Sequence, residues 1–187
     1  MLKKITALLA AAVLALSLSA CSGELLDEIF YYEDGSDTVS EAVTSIDGMQ
    51  GPYDVVKVVD GDTIKLMIDG EKKNVRLIGI DTPESVHPDA EKNVPEGKLA
   101  SDHTKLLVGD NQLYLVYGTD PQDRYGRPLC YVYLPDGTML NEKILSDGYA
   151  KVLIVGKNKE YKDRFNEIQE EAKADGRGLW PSGVFDD

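Results

Sequence analysis

From residue 53 onward the rhythm of apolar and polar positions changes several times, and each change marks an element. Residues 53–60, Tyr-Asp-Val-Val-Lys-Val-Val-Asp, are rich in β-branched side chains and predict a strand that Gly61 breaks. Thr63-Ile64-Lys65-Leu66-Met67-Ile68 predicts a second strand, and Asp69-Gly70 predicts a tight turn into a third over residues 72–80. Between Pro95 and Val108 the periodicity becomes helical, with Leu99, His103, Leu106 and Leu107 on the face expected inward. His103 on such a face reads as a packed histidine rather than a metal ligand. Residues 113–117 and 128–134 predict strands four and five, flanking a loop at 118–127. Residues 140–147 predict a helix that presents Leu140, Ile144 and Leu145 and stops at Gly148. A longer helix is expected from Lys159 to Asp175, capped by Asn158 and ended by Gly176, with Tyr161, Phe165, Ile168 and Ala172 on one stripe. Gly178-Leu179-Trp180 supplies an apolar anchor for the tail.

Five strands interrupted by one helix and followed by two more predict an α+β fold: a five-stranded OB-fold barrel with three helices packed against it. The first 51 residues do not join that pattern. Residues 1–20 have a basic start at Lys3 and Lys4 and an apolar run from Ile5 to Leu18, too short to span a bilayer comfortably and right for a signal-peptide core. The run ends Leu18-Ser19-Ala20-Cys21, which resembles the lipobox of bacterial lipoproteins. That resemblance implies a lipid on the Cys21 thiol and removal of residues 1–20; an ordinary secretory leader is the alternative. Either way the chain is expected to be exported. With Ser22 after the lipidated cysteine, outer-membrane sorting is expected if the envelope has two membranes.

Charge separates the rest. Residues 22–50 hold eight acids, Glu24, Asp27, Glu28, Glu33, Asp34, Asp37, Glu41 and Asp47, and no Lys or Arg. Such a segment repels itself, so residues 21–51 read as a lipidated cysteine and acidic tether, and 52–187 as the globular domain. Setting aside the two leader lysines and the eight tether acids, the formal −13 of the chain leaves the domain near −7. A general polyanion binder is thereby excluded, because phosphate affinity normally comes from a basic field. Any nucleic-acid chemistry must come from a few arginines and a cation acting locally. The second cysteine, Cys130, sits in the apolar run Leu129-Cys130-Tyr131-Val132-Tyr133-Leu134 and reads as a buried small hydrophobe.

The candidate chemistry lies where strands end. Val75-Arg76-Leu77-Ile78-Gly79-Ile80-Asp81-Thr82-Pro83-Glu84 delivers one arginine along a strand, then two carboxylates at its exit. On these residues alone a capping box, with Asp81 as cap and Glu84 closing it, competes with a catalytic reading. Asp60-Gly61-Asp62-Thr63 adds a carboxylate pair at a kink, and Asp123-Arg124-Tyr125-Gly126-Arg127-Pro128 adds two arginines and a tyrosine. Hard cations take oxygen ligands, so Asp62, Asp81 and a nearby carbonyl would make a half-built site that water and substrate complete. Arg76 and Arg127 match a phosphate bidentately from two sides, and Glu84 suits orientation or deprotonation of an attacking water.

Those motifs, taken in order, resemble the staphylococcal nuclease (thermonuclease) family, and Gly148-Tyr149-Ala150-Lys151-Val152 and Gly178-Leu179-Trp180 agree with it. The resemblance spans roughly residues 53–181. It implies an oligonucleotide-binding barrel that hydrolyses DNA and RNA with calcium, cutting the bond to the 5′ oxygen and leaving 3′-phosphate ends. It implies Asp62, Asp81 and the Thr82 carbonyl as calcium ligands, Arg76 and Arg127 as phosphate binders, and Glu84 as general base. Tyr125, with Arg124 beside it, looks like the contact to the substrate's terminal phosphate. Single-stranded or unwound nucleic acid is the expected partner, the lipid the membrane contact, the outer face of the envelope the location, and a monomer the expected state. Two departures stand out: Ile154 and Gly156 occupy positions where the staphylococcal enzyme lines its nucleotide pocket with aromatics, and the domain is acidic where that enzyme is basic. The competing expectations are a binding module of the same fold without catalysis, and an adhesive or structural surface lipoprotein.

Overall fold

In β3 (Thr63–Ile68) the buried side chains Ile64, Leu66 and Ile68 alternate with the half-buried Lys65 and Met67, and this alternation decides which face of the sheet becomes core. The computed structural model describes residues 46–86, 89 and 93–186, all within one compact unit, Asp34–Asp187. Cys21 and residues 22–45 lie outside the described residues. Among the described residues are eight strands and three α-helices: β1 (Gln50–Tyr53), β2 (Val55–Asp60), β3, β4 (Glu71–Leu77), β5 (Gly79–Asp81), α1 (Pro95–Val108), β6 (Leu113–Gln122), β7 (Pro128–Tyr133), α2 (Leu140–Ser146), β8 (Lys151–Leu153) and α3 (Lys162–Ala174). The six-stranded sheet runs β1-β6-β7-β4-β3-β2 and the two-stranded sheet pairs β5 with β8. All pairings are antiparallel except β4 with β7, a short parallel ladder.

The sequence expected five strands closing a barrel; the pairing instead divides into these two sheets, and among the described residues no ladder closes a barrel. The expected first strand is split at Asp54 into β1 and β2, and the expected third is split at Ile78. The second split has a clear cause. Gly79 takes φ +81°, which turns the chain out of the β4 ladder and into pairing with β8, a three-residue strand too short to show in the sequence pattern. The buried Asn141 braces this corner, accepting the Val132 N–H (2.9 Å) and donating to the Ile78 carbonyl (2.8 Å).

The helices meet expectation unevenly. Leu140, Ile144 and Leu145 of α2 are fully buried, and Phe165 and Ala172 of α3 join Val75, Leu77, Leu113, Leu115 and Val132 in the interior. In α1 the expected apolar face is wrong: Leu99 and Leu106 are 54% and 77% exposed. The helix docks instead through Gly97, Ala100, Ser101, Thr104 and Val108, small side chains that let its backbone approach the sheet closely. Thr104 Oγ1 donates to the Gly61 carbonyl at 2.7 Å, which apolar periodicity could not reveal. His103 is packed as expected, stacked 3.9 Å from the Tyr149 ring with Nε2 2.8 Å from Asp147. Asn158 does not cap α3, which begins after Tyr161; its buried amide bridges the Asp120 N–H (2.8 Å) and carbonyl (3.0 Å) and holds the end of β6. Cys130 is a buried thiol, pushed by desolvation up to about 12, consistent with inert packing. The tail anchor is realised by Leu179, Trp180 and Phe185 around Ala100.

Candidate active site

Strand register assembles the centre. In the β3–β4 ladder Thr63 faces Arg76, so Asp62, one residue before β3, lies beside the arginine, and the Leu77 N–H donates to the Asp62 carbonyl at 2.9 Å. The parallel β4–β7 ladder sets Arg76 opposite Leu129, two residues beyond Arg127. Gly79 then bends the chain so that Asp81 returns toward the same guanidinium. Arg76 Nη1 lies 2.6 Å from Asp62 Oδ2 and Nη2 lies 3.1 Å from Asp81 Oδ1. One planar cation therefore spans both candidate ligands.

Asp62 is 7% exposed. Its Oδ1 accepts the Thr63 hydroxyl (3.0 Å) and its Oδ2 accepts the Thr82 N–H (3.1 Å). Burial pushes its carboxyl above the usual range and Asp81 adds to that, against Arg76, the Thr82 amide and the Thr63 hydroxyl, which pull it down. Asp81 keeps 35% of its side chain exposed, and among the described residues nothing bonds the buried Thr82 Oγ1.

These donors bear on the metal that the resemblance implies. The described residues contain no group of three or more His, Cys, Asp or Glu able to hold an ion, so a closed protein cage is absent from them. Asp62 and Asp81, both held on the Arg76 guanidinium, are nonetheless hard oxygen donors, and the next residue, Thr82, carries a buried hydroxyl that nothing bonds among the described residues. That set fits a hard cation which keeps water and takes the rest of its shell from substrate.

The opposite wall is a loop closed on itself. Asp123 Oδ1 accepts the N–H groups of Tyr125 and Arg127, each at 2.9 Å, while Oδ2 takes Arg127 Nε at 2.7 Å. Desolvation alone would raise the Asp123 carboxyl, but the Arg127 side chain and the two loop amides hold it below the ordinary value. The 69%-exposed Tyr125 ring has two guanidinium carbons near its centroid, that of Arg124 at 4.8 Å and that of Arg127 at 5.7 Å.

A cleft of about 580 Å³ gathers Asp60, Asp62, Arg76, Glu84, Tyr125 and Arg127 on one surface. Asp81 and Thr82 stand behind it, joined through Arg76 and Asp62. Arg124 falls on a neighbouring cleft of about 740 Å³ that shares Arg76, Tyr125 and Arg127. The wall of that second cleft is aliphatic, made by Leu129, Leu153 and Val155 beside Gly156. Ile154 is not part of that lining, so of the two positions expected to replace pocket aromatics only Gly156 lies there. The sequence reading assigned no role to Ser85, Thr104 or Asn141, whose site contacts are all long-range.

A family described as staphylococcal nuclease homologue matches residues 74–182. The chain is 40% identical to a thermonuclease of Staphylococcus hyicus, over 68% of this chain and 75% of that one. It is 38% identical to a thermonuclease of Staphylococcus intermedius, over 81% and 88% respectively. It is also 33% identical to the endonuclease YncB of Bacillus subtilis (strain 168), over 98% and 95%.

Proposed function

The chain belongs to the staphylococcal nuclease family, and on that premise we propose that it is a calcium-dependent nuclease, tethered by lipid at Cys21 outside the cell membrane. The observation that carries the reading is the cleft where Asp62, Arg76, Glu84, Tyr125 and Arg127 meet, with Asp81 clasped to Arg76 behind them. The substrates are single-stranded or unwound DNA and RNA, and the six-stranded sheet forms the wall of the family's OB-type barrel. The acidic segment before residue 52 is the tether.

Asp62, Asp81 and the Thr82 carbonyl would hold the calcium, whose contribution is positive charge beside a phosphate oxygen and a more acidic water. The chain's own groups do the rest. Glu84 takes a proton from water as its oxygen bonds to phosphorus. The P–O5′ bond breaks, and the departing 5′ oxygen collects a proton, leaving a 3′-phosphate and a 5′-hydroxyl. Arg76 and Arg127 present fixed guanidinium donors from two walls to the phosphoryl oxygens, where charge builds in the transition state. Arg76 is pre-aimed by its two carboxylates and Arg127 by Asp123, so little reorganisation is needed when charge develops. Tyr125 and Arg124 flank the path of the strand and contact its terminal phosphate.

The test is release of acid-soluble nucleotides from single-stranded DNA by the purified protein, with calcium or with chelator, beside Arg127→Ala. Cleavage that needs calcium and collapses in Arg127→Ala supports the reading. A parent with no calcium-dependent cleavage overturns it and favours a binding module.

A further inference from the structure

We propose that Asp60 is a positioning residue for Glu84, acting through Ser85, and thereby sets the rate of proton removal from the attacking water; this rests on the assignment of Glu84 as base. Asp60 ends β2 and is 6% exposed, a placement that is costly for a carboxylate unless its oxygens are bonded. Oδ1 accepts the Ser85 hydroxyl at 2.7 Å and the Gly61 N–H at 3.0 Å, and Oδ2 accepts the Ser85 N–H at 3.4 Å. Two of these three donors belong to the residue directly after Glu84, twenty-five positions along the chain.

The other side of the same peptide unit is gripped by α1. The Val94 N–H donates to the Glu84 carbonyl at 3.0 Å. Gly97, in the first turn of the helix, lies so close that a Cβ there would come 2.2 Å from that oxygen and 2.8 Å from the Ser85 nitrogen. Any side chain at residue 97 would drive the Glu84–Ser85 peptide off its seat. Thr104 of the same helix holds the Gly61 carbonyl, so the turn that carries Asp60 and the helix that backs Glu84 are one assembly. Pro83 removes backbone freedom on the approach. Asp60 and Glu84 also line one cleft, so the brace ends at the reacting surface. A base displaced by about 1 Å from its working position can lose roughly a hundredfold in rate, which is the sensitivity such a brace would protect.

The experiment uses the full-length protein with calcium and single-stranded DNA. Ser85→Ala and Asp60→Asn should each lower kcat roughly 10- to 100-fold while KM for DNA and the calcium midpoint stay within about twofold. Ser85→Thr, which keeps the hydroxyl, should restore most of the loss. In a Glu84→Gln background neither substitution should lower kcat further, a result that general destabilisation or direct cation binding by Asp60 would not give. The proposal is overturned if Ser85→Ala turns over like the parent, or if the loss persists undiminished in Glu84→Gln. A parent-like rate in Glu84→Gln itself overturns the base assignment and this proposal with it. An active parent and impaired Glu84→Gln beside an unimpaired Ser85→Ala would refute the brace alone.

Discussion

The two walls of the cleft are built in opposite ways. The wall of Asp62 and Arg76, backed by Asp81, is assembled by long-range register: a strand pair, a parallel ladder and a glycine bend bring distant segments to one guanidinium, largely buried. The wall of Tyr125 and Arg127 is a five-residue loop closed by Asp123, with its aromatic in solvent. Groups on the first wall carry the fold as well as the chemistry, whereas groups on the second can change with little effect on stability. The physical reason is compensation: without Arg76 the buried Asp62 loses its nearest cation, whereas without the half-exposed Arg127 side chain Asp123 keeps the Tyr125 N–H and the backbone N–H of residue 127.

Arg76→Ala is the most severe way to test this contrast. It should strand the buried Asp62, destabilise the protein by about 3–5 kcal/mol in urea unfolding, and reduce calcium-dependent cleavage at least roughly a hundredfold. Arg127→Ala should match that loss in kcat to within about tenfold yet shift unfolding by no more than about 1 kcal/mol. Equal destabilisation by the two changes would abolish the distinction between the walls. Tyr125→Ala should be milder, weakening DNA binding by about 1–3 kcal/mol, read as a higher KM at nearly constant kcat. Acidification should give the smallest effect. The Asp123 carboxyl is depressed in the folded state, so its contribution is complete above the unfolded aspartate pKa and is lost as pH falls through the folded value. Amide protection in residues 123–127, measured against the intrinsic exchange rate at each pH, should therefore fall in that acidic window, and less so in Asp123→Asn.

What the sequence revealed follows the same division. Local patterns were readable: the alternation of Ile64, Leu66 and Ile68, the face of α2, the loop 123–127, and the order of motifs that named the candidate residues. Contacts fixed by distant packing were not. The face of α1 was misjudged because leucines outweigh glycine, alanine and threonine in any apolar count, although close helix approach favours the small residues. Asn158 looked like a cap because caps are local and its true partner, Asp120, is thirty-eight residues away. Gly79 broke a run that reads as one strand, because its positive φ is invisible in hydropathy. Ser85 carried no local sign of its bond to Asp60.

A single calcium titration of the parent and Asp81→Asn, followed by both thermal midpoint and cleavage rate, tests most directly whether the buried wall is a cation-dependent catalytic centre. Asp81 is half-buried, so the variant should fold. Calcium should raise both the midpoint and the rate of the parent, since a ligand of the native state stabilises it. Asp81→Asn should lose both responses together. Cleavage unaffected by chelator, or an Asp81→Asn protein that responds to calcium as the parent does, would contradict a cation-dependent centre there.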